Sequence, residues 1–490
     1  MRFFCILLLS CLCCIIIKDF SGINLRRTTV NKYKNLIYNT FIFGISTFSS
    51  KILVFLLLPL YTRVLSNTDY GVVDLIVQTS NLLIPIVSLG IANGVIRFGL
   101  DKSNNSSDVF STGLFTILGG FLIFLLLEPL LSKIKYVSDY TALIYIFVLM
   151  SSLRTLCSQF IRARKLVRLY AFEGVLSTIT TISFNILYLV VLKLGINGYV
   201  LAIISSDFLS VVFLFYTAKL YKFIKFNQKK KSTPINMLKY SIPLIPSTIF
   251  WWVTNVSDRF IVAYMLGAEA NGLYAISYKI PTVVTLLSSI FSEAWQLSAV
   301  SEKDAQYREK FFTNVFKSYS SLIFISASVL ILSVKAITKI LVSDAFYASW
   351  SYVPFLVMAT SYSCLATFLG SIYFVEKKSN LSLITTFIGA LVNIMLNLIL
   401  IPKFGVNGAG FATFLSYAAV FLLRALNTRK FIKINCSNKK LLFNTFILLF
   451  QSIIMIFEAP HWILIEIFSF VLIFAFNLKD ILINIKKLIV

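Results

Sequence analysis

Apolar runs of about 18 to 25 residues, separated by short polar segments, recur along almost the whole chain, and each is long enough to cross a hydrocarbon core of about 30 Å as a helix. From Lys32 onward they predict about fourteen spans. Six lie near 36–61, 72–98, 109–131, 141–160, 169–192 and 196–217. Six more follow a basic break, near 238–265, 272–298, 311–334, 351–374, 380–401 and 406–427, and a last pair covers 441–457 and 462–478. The pattern predicts an all-α polytopic membrane protein. An additional apolar segment, 3–17, is short for a span and has the length of a signal-peptide core. No clear cleavage site follows it, and Leu9 fits a lipoprotein box poorly, so 1–31 reads as an N-terminal extension.

Landmarks repeat between the halves. Leu65-Ser-Asn-Thr-Asp-Tyr-Gly71 has a counterpart in Leu266-Gly-Ala-Glu-Ala-Asn-Gly272, an offset of 201 (266 minus 65), and Gly195-Ile-Asn-Gly198 has one in Gly405-Val-Asn-Gly408, an offset of 210 (405 minus 195). Ala202 and Ala412 follow at the same distance. Two parallel six-helix repeats explain this, because an even number of spans keeps both halves in one orientation. The chain then divides into an extension (1–31), a first lobe (32–217), a basic linker (218–237), a second lobe (238–433), and a final helix pair with its tail (434–490). Like-oriented lobes commonly enclose a substrate site and alternate its exposure, which makes a transporter the leading class.

Composition sharpens this picture. With 58% hydrophobic and 13% charged residues there is no stretch from which a soluble catalytic module could be built. The net charge of +25 sits in loops rather than on a soluble surface, so it does not indicate a nucleic-acid partner. The basic residues alternate between sides. Arg26, Arg27, Arg162, Arg164, the cluster 219–231 and Arg429 to Lys440 fall on one, while Arg63, Lys133, Lys135, Lys193, Lys335, Lys339 and Lys403 fall on the other. The positive-inside rule places the first side, with both ends of the helical body, in the cytoplasm. The seven cysteines form no disulfide framework, and a single histidine, His461, makes a multi-histidine metal site impossible. No cofactor is expected.

Charged residues within spans need a partner, a water-filled cavity or a function. Thr40, Thr47 and Lys51 share one face of the first span, and Asp74, Gln78, Asn81, Pro85 and Ser88 share one face of the second. Ser247, Thr254 and Asp258, followed by Arg259, repeat the theme on the seventh, and Lys279, Thr282, Ser289, Glu293 and Gln296 on the eighth. Facing one another, these stripes would line a cavity whose outer half is cationic through Lys51, Arg259 and Lys279, suited to phosphate. The competing reading makes them interhelical glue, with Lys51 paired to Asp74 or Lys279 to Asp258. Arg97, Arg154 and Arg424, near cytoplasmic span ends, read as snorkelling cations. Asp207, with no partner evident in the sequence, and Glu293 are candidates for ion coupling. Trp251 and Trp252 stand mid-span, either packed in the core or able to stack on sugar rings.

Asn35-Leu-Ile-Tyr-Asn-Thr-Phe41 through Leu58-Pro-Leu-Tyr-Thr-Arg-Val-Leu65, the Asp69-Tyr-Gly71 turn, Ser257-Asp-Arg-Phe-Ile-Val262 and Gly272-Leu-Tyr-Ala-Ile-Ser-Tyr-Lys-Ile280 resemble the polysaccharide biosynthesis proteins. These are O-antigen-type oligosaccharide flippases of the multidrug/oligosaccharidyl-lipid/polysaccharide exporter superfamily, and the resemblance runs from about residue 32 to 480. It implies MATE-like lobes and a non-enzymatic carrier in the bacterial plasma membrane. The implied substrate is an undecaprenyl-diphosphate-linked oligosaccharide, moved from the inner to the outer leaflet by alternating access. Its partners would be membrane lipids and polysaccharide polymerase machinery. A cavity role carries over to Lys51, Arg259 and Lys279, with Asp74 and Asp258 as partners. The rival readings are a membrane polymerase or ligase of the same pathway, and a multidrug/cation exporter of the same superfamily. A polymerase would be expected to carry a large outer loop, yet the longest outer segment, 335–350, is short. An exporter of cations would favour acidic residues in the cavity.

Overall fold

The computed structural model describes Phe55 and residues 57–225 (without 102), 232–301, 305–376, 378–434 and 436–489. Lys51 and segment 3–17 lie outside them.

The first lobe contains helices α1 (Asn67–Val87), α2 (Ile91–Gly99), α3 (Ser106–Leu125), α4 (Thr141–Ala163), α5 (Val167–Asn185, extended by a π-helical turn over Ile186–Val191) and α6 (Gly195–Thr217). A short helix α7 (Ser232–Ser241) leads to α8 (Ile245–Leu266), α9 (Ala268–Ser277), α10 (Thr282–Ser301), α11 (Ala305–Leu341), α12 (Val353–Val375) and α13 (Ser379–Thr428). The chain ends with α14 (Asn438–Phe457) and α15 (Trp462–Ile489). No strand occurs among the described residues.

Nine helices among them are long and apolar enough to span a membrane. The difference from about fourteen has local causes. The first span falls mostly outside the described residues, and α13 carries two spans joined at Gly405. The seventh and eighth are interrupted at prolines, with Pro243 inside a 3-10 turn just before α8, Pro246 in the first turn of α8, and Pro281 between α9 and α10, and the last, Trp462–Leu478, is shorter than the nine.

Both landmark pairs recur in the geometry. Gly195 and Gly405 each adopt a left-handed backbone, with φ of 56° and 60°. A residue with a Cβ is strained there, which explains glycine at both sites.

Burial is inverted relative to a soluble protein. Leu122, Ile123, Phe446 and Phe468 are more than half exposed, whereas Ser80, Ser111, Asn393, Asn397 and Gln451 are fully buried. Apolar side chains facing lipid and polar ones bonded inside are what a hydrocarbon solvent selects.

The two lobes have separate cores. Phe110, Leu156, Phe160 and Leu214 centre the first, and Phe316, Phe324, Leu365 and Phe421 the second. They meet near the charge-poor face, where α1 crosses α9. A Cβ on Gly71 would stand 1.9 Å from the Ala268 carbonyl oxygen, and one on Gly272 would stand 1.9 Å from that of Asn67. Both pairs, 67 with 268 and 71 with 272, keep the 201-residue offset, so the crossing lies on a pseudo-twofold axis relating the lobes. The amide of Asn271 donates to the Gly71 carbonyl (3.0 Å), and that of Asn67 donates to Ala345 (3.1 Å).

The final helix pair docks on α11 through a polar ladder. Lys335 pairs with Glu458 and lies over the rings of Trp350 and Trp462, at 4.3 and 4.1 Å from their centroids. Deeper, Ser328 donates to Gln451 (2.8 Å), which donates to the buried Glu466 (2.8 Å). Asn444 and Asn477 exchange hydrogen bonds, and Lys440 pairs with Asp480 at 2.6 Å. The pair is thereby attached to the second lobe.

Candidate functional site

Asp74 is seven residues into α1, about 10 Å below the charge-poor end at 1.5 Å per residue, and Arg259 is seven residues before the end of α8. At this common depth the Arg259 guanidinium donates from Nη1 to Asp74 Oδ1 at 2.6 Å, joining the lobes through a buried ion pair. The guanidinium also lies over the Tyr278 ring, 4.4 Å from its centroid. Lys279, half-buried where α9 gives way to α10, acts electrostatically on both members of the pair. The pair is not closed: Arg259 Nε and Asp74 Oδ2 are buried without a hydrogen-bond partner.

Asp258 points the other way, into the second lobe. Its Oδ2 accepts from the hydroxyls of Tyr274 (2.7 Å), Tyr278 (2.5 Å) and Thr413 (3.0 Å), and its Oδ1 from the Arg259 backbone N–H (2.9 Å). Thr413 in turn accepts from Asn393. Three hydroxyl donors hold this carboxylate rigid and set the register of α8 against α9 and α13. Among the described residues no group of three His, Cys, Asp or Glu has the spacing of a metal site.

Arg259, Asp74, Asp258 and Lys279 therefore come together, and Asp258 does not take Lys279, the partner the sequence offers. Asp74 takes Arg259, and Asp258 takes two tyrosines and a threonine. Lys51 lies outside the described residues; Glu293 is on α10, and its side chain is likewise outside the description. The two tryptophans separate in role. Trp252 is half-buried against Phe260 and donates from its indole N–H to the Gln78 carbonyl of the first lobe (3.1 Å), whereas Trp251 is exposed.

Asp207 sits at a second charged cluster, within the first lobe. Arg154 on α4 donates to Glu173 on α5 (2.8 Å) and to Asp207 on α6 (2.9 Å), and Ser151 donates to the second Asp207 oxygen. Arg154 thus turns inward to two carboxylates instead of snorkelling. Removing the arginine would leave two buried acids uncompensated, a loss of about 3 kcal/mol or more. Arg154→Ala should lower the melting temperature of the purified protein by several degrees, and adding Glu173→Gln and Asp207→Asn should recover most of it; equal melting of R154A and the parent would refute a structural triad.

The missed partners had partial signals. Tyr274 and Tyr278, four apart, share a helix face, but nothing in their spacing names Asp258 as the acceptor.

Comparisons with known proteins agree with this architecture. A family model described as polysaccharide biosynthesis protein matches residues 36–296, just over half of the 490. No curated protein matches the chain. Among solved structures, a lipid II flippase, MurJ, in an inward closed conformation superposes with a TM-score of 0.64 at 15% identity, covering 92% of this chain and 100% of that one. An inward-facing multidrug resistance MATE family transporter gives 0.65 at 12% identity, covering 78% and 95%. An outward-facing structure of a multidrug resistance MATE family transporter gives 0.55 at 13%, covering 80% and 93%. At these identities the likeness establishes the fold, a MATE-like pair of helical lobes. With the family model spanning the Asp69-Tyr-Gly71 turn, the Asp258-Arg259 pair and the Gly272 crossing, this chain belongs to the polysaccharide biosynthesis protein family.

Proposed function

We propose that the protein flips an undecaprenyl-diphosphate-linked oligosaccharide from the inner to the outer leaflet of a bacterial plasma membrane, for surface polysaccharide of the O-antigen or capsule type. The observation that carries this reading is the buried guanidinium of Arg259, which stands between the lobes beside Lys279 with an unpaired N–H. A lipid diphosphate cannot carry its charges and sugars through hydrocarbon unaided, and fixed N–H donors replace the water it loses.

In this mechanism Arg259 releases Asp74 as a diphosphate oxygen or an acidic sugar takes its place, and the lobes part at the α1–α9 crossing. Lys279 supplies a second positive charge; Lys51, on the first span, would add a third. Asp258 keeps α8 in register throughout. A potential positive outside favours outward passage of an anion, by about 2.3 kcal/mol per charge per 100 mV. Asp207 and Glu293 are the groups to test for ion coupling, and polymerase machinery at the outer surface would receive the product.

The test is the location of lipid-linked glycan in a deletion strain and its complemented control, with each leaflet labelled separately. Complete units should accumulate on the cytoplasmic leaflet while surface glycan disappears. Unpolymerised units on the outer leaflet would mean a polymerase or ligase instead, and normal glycan in both leaflets would mean an exporter of unrelated compounds.

A further inference from the structure

Arg424 does not snorkel. It lies on the second half of α13, one turn before the helix ends at the basic face, and its guanidinium folds inward between α12 and the first half of α13. Nη1 donates to the Ala366 carbonyl (2.8 Å), Nε to Thr385 Oγ1 (3.2 Å) and Nη2 to Thr386 Oγ1 (3.2 Å). All three partners are neutral. Among the described residues no carboxylate pairs with it, unlike Arg154 and Arg259. Its charge is held in place and left uncompensated. Five N–H groups serve three acceptors, so donors remain.

The surface beside it is polar and open. Between residues 356 and 373 only Thr360, Ser363, Thr367 and Gly370 of α12 escape burial, at steps of three, four and three, which makes one narrow helix face. This face of threonine, serine and glycine carries none of the large apolar side chains that cover outward surfaces such as those of Leu122 and Phe468, and every other face of the helix is packed. The Arg424 guanidinium lies against Gly370, 2.6 Å from where a Cβ would stand, and alanine or anything larger would displace it.

This face leads to Arg259. On α13, which packs against α12, the Tyr417 hydroxyl donates to Asn255, one turn from Arg259 on α8. Thr413 is bonded to Asp258, the neighbour of Arg259, and Arg424 is eleven residues further along α13 (424 minus 413), about 16 Å toward the basic face.

We infer that Arg424 is a second oxyanion-binding station, placed at the basic end of the same polar path and taking the substrate's anionic group before Arg259 does. The ligand class rests on the flippase reading. The site itself rests on the neutral cage and the polar face. Two sources fit the chemistry, the diphosphate of the lipid carrier and the carboxylate of an acidic sugar.

The test needs no transport. In the full-length chain with its native cysteines replaced, Thr367→Cys is labelled with a sulfonate and with a trimethylammonium methanethiosulfonate reagent, and the rate ratio is measured. One nearby positive charge should favour the anionic reagent, and Arg424→Gln should lower the ratio about tenfold while Arg424→Lys preserves it. Inorganic diphosphate, or glucuronate, should slow the labelling when Arg424 is present and not in R424Q. Slowing by the first points to the lipid carrier's phosphates, and by the second to the sugar. An unchanged ratio in R424Q, a T367C thiol that neither reagent reaches, or no protection by either anion would overturn the proposal. If these results hold while the deletion strain shows no block in translocation, the station stands and the flippase reading falls.

Discussion

Surface glycan should fall by roughly 100-fold or more when Arg259 is replaced by alanine, with the protein still in the membrane. The ion pair to Asp74 is buried and bridges the lobes, so removing one partner leaves an uncompensated carboxylate and costs about 3 kcal/mol or more, a factor near 100 in any equilibrium that forms the pair. In the proposed mechanism the substrate simultaneously loses its principal donor. Arg259→Lys should rescue poorly, because the ammonium keeps the charge but not the fork that also lies over Tyr278. The double variant R259A/D74A separates the two effects. It removes the stranded charge, so membrane levels by immunoblot should match the parent's while surface staining stays absent. Full export by the double variant would show that Arg259 serves closure alone.

The second large effect is expected at the α1–α9 crossing. Gly272→Ala or Gly71→Ala places a methyl group 1.9 Å from a carbonyl oxygen of the opposite lobe, where real contacts require more than 3 Å. Neither backbone can yield without moving its helix. The lobes must separate on the charge-poor face, and the bonds from Asn271 to Gly71 and from Arg259 to Asp74 must lengthen or break. Export should drop at least about tenfold. Cross-linking between cysteines at 67 and 345, which are joined by a 3.1 Å hydrogen bond from Asn67, reads the closure directly. The yield should be high in the parent and low in either glycine variant. Parental cross-linking in both variants would mean that the crossing tolerates the methyl group and that these glycines serve another purpose.

Much of this is visible in the sequence, and its gaps have physical reasons. The 201-residue offset identifies Gly71 and Gly272 as equivalents, but only the assembled lobes reveal that equivalent glycines touch, because a symmetry axis is not a property of either segment. Helical periodicity places Asp74 and Arg259 on inward faces of their spans, yet it orders residues on one helix and says nothing of what stands opposite. The pairing of Lys279 with Asp258 therefore chose a plausible neighbour in type and missed the tyrosines and the threonine that hold that carboxylate, while the pairing of Lys51 with Asp74 lies outside the described residues. Arg154 shows the same limit: its acids lie 19 and 53 residues further on, on two other helices, and a cation near a span end looks self-sufficient until they arrive. Arg424 looks equally ordinary, because its cage is made of a carbonyl and two threonines that no charge-based search selects.

The hydrogen bond from Trp252 to the Gln78 carbonyl has a spectroscopic consequence. It crosses from one lobe to the other just inside the Asp74–Arg259 pair, so its indole exchanges a protein carbonyl for water whenever the lobes part. Trp350 and Trp462, clasping Lys335 within the second lobe and its attached helices, keep their surroundings through the same motion. With Trp251 and Trp295 replaced, the protein thus contains an optical gauge and its internal reference: one indole whose emission colour follows opening, and two whose emission does not.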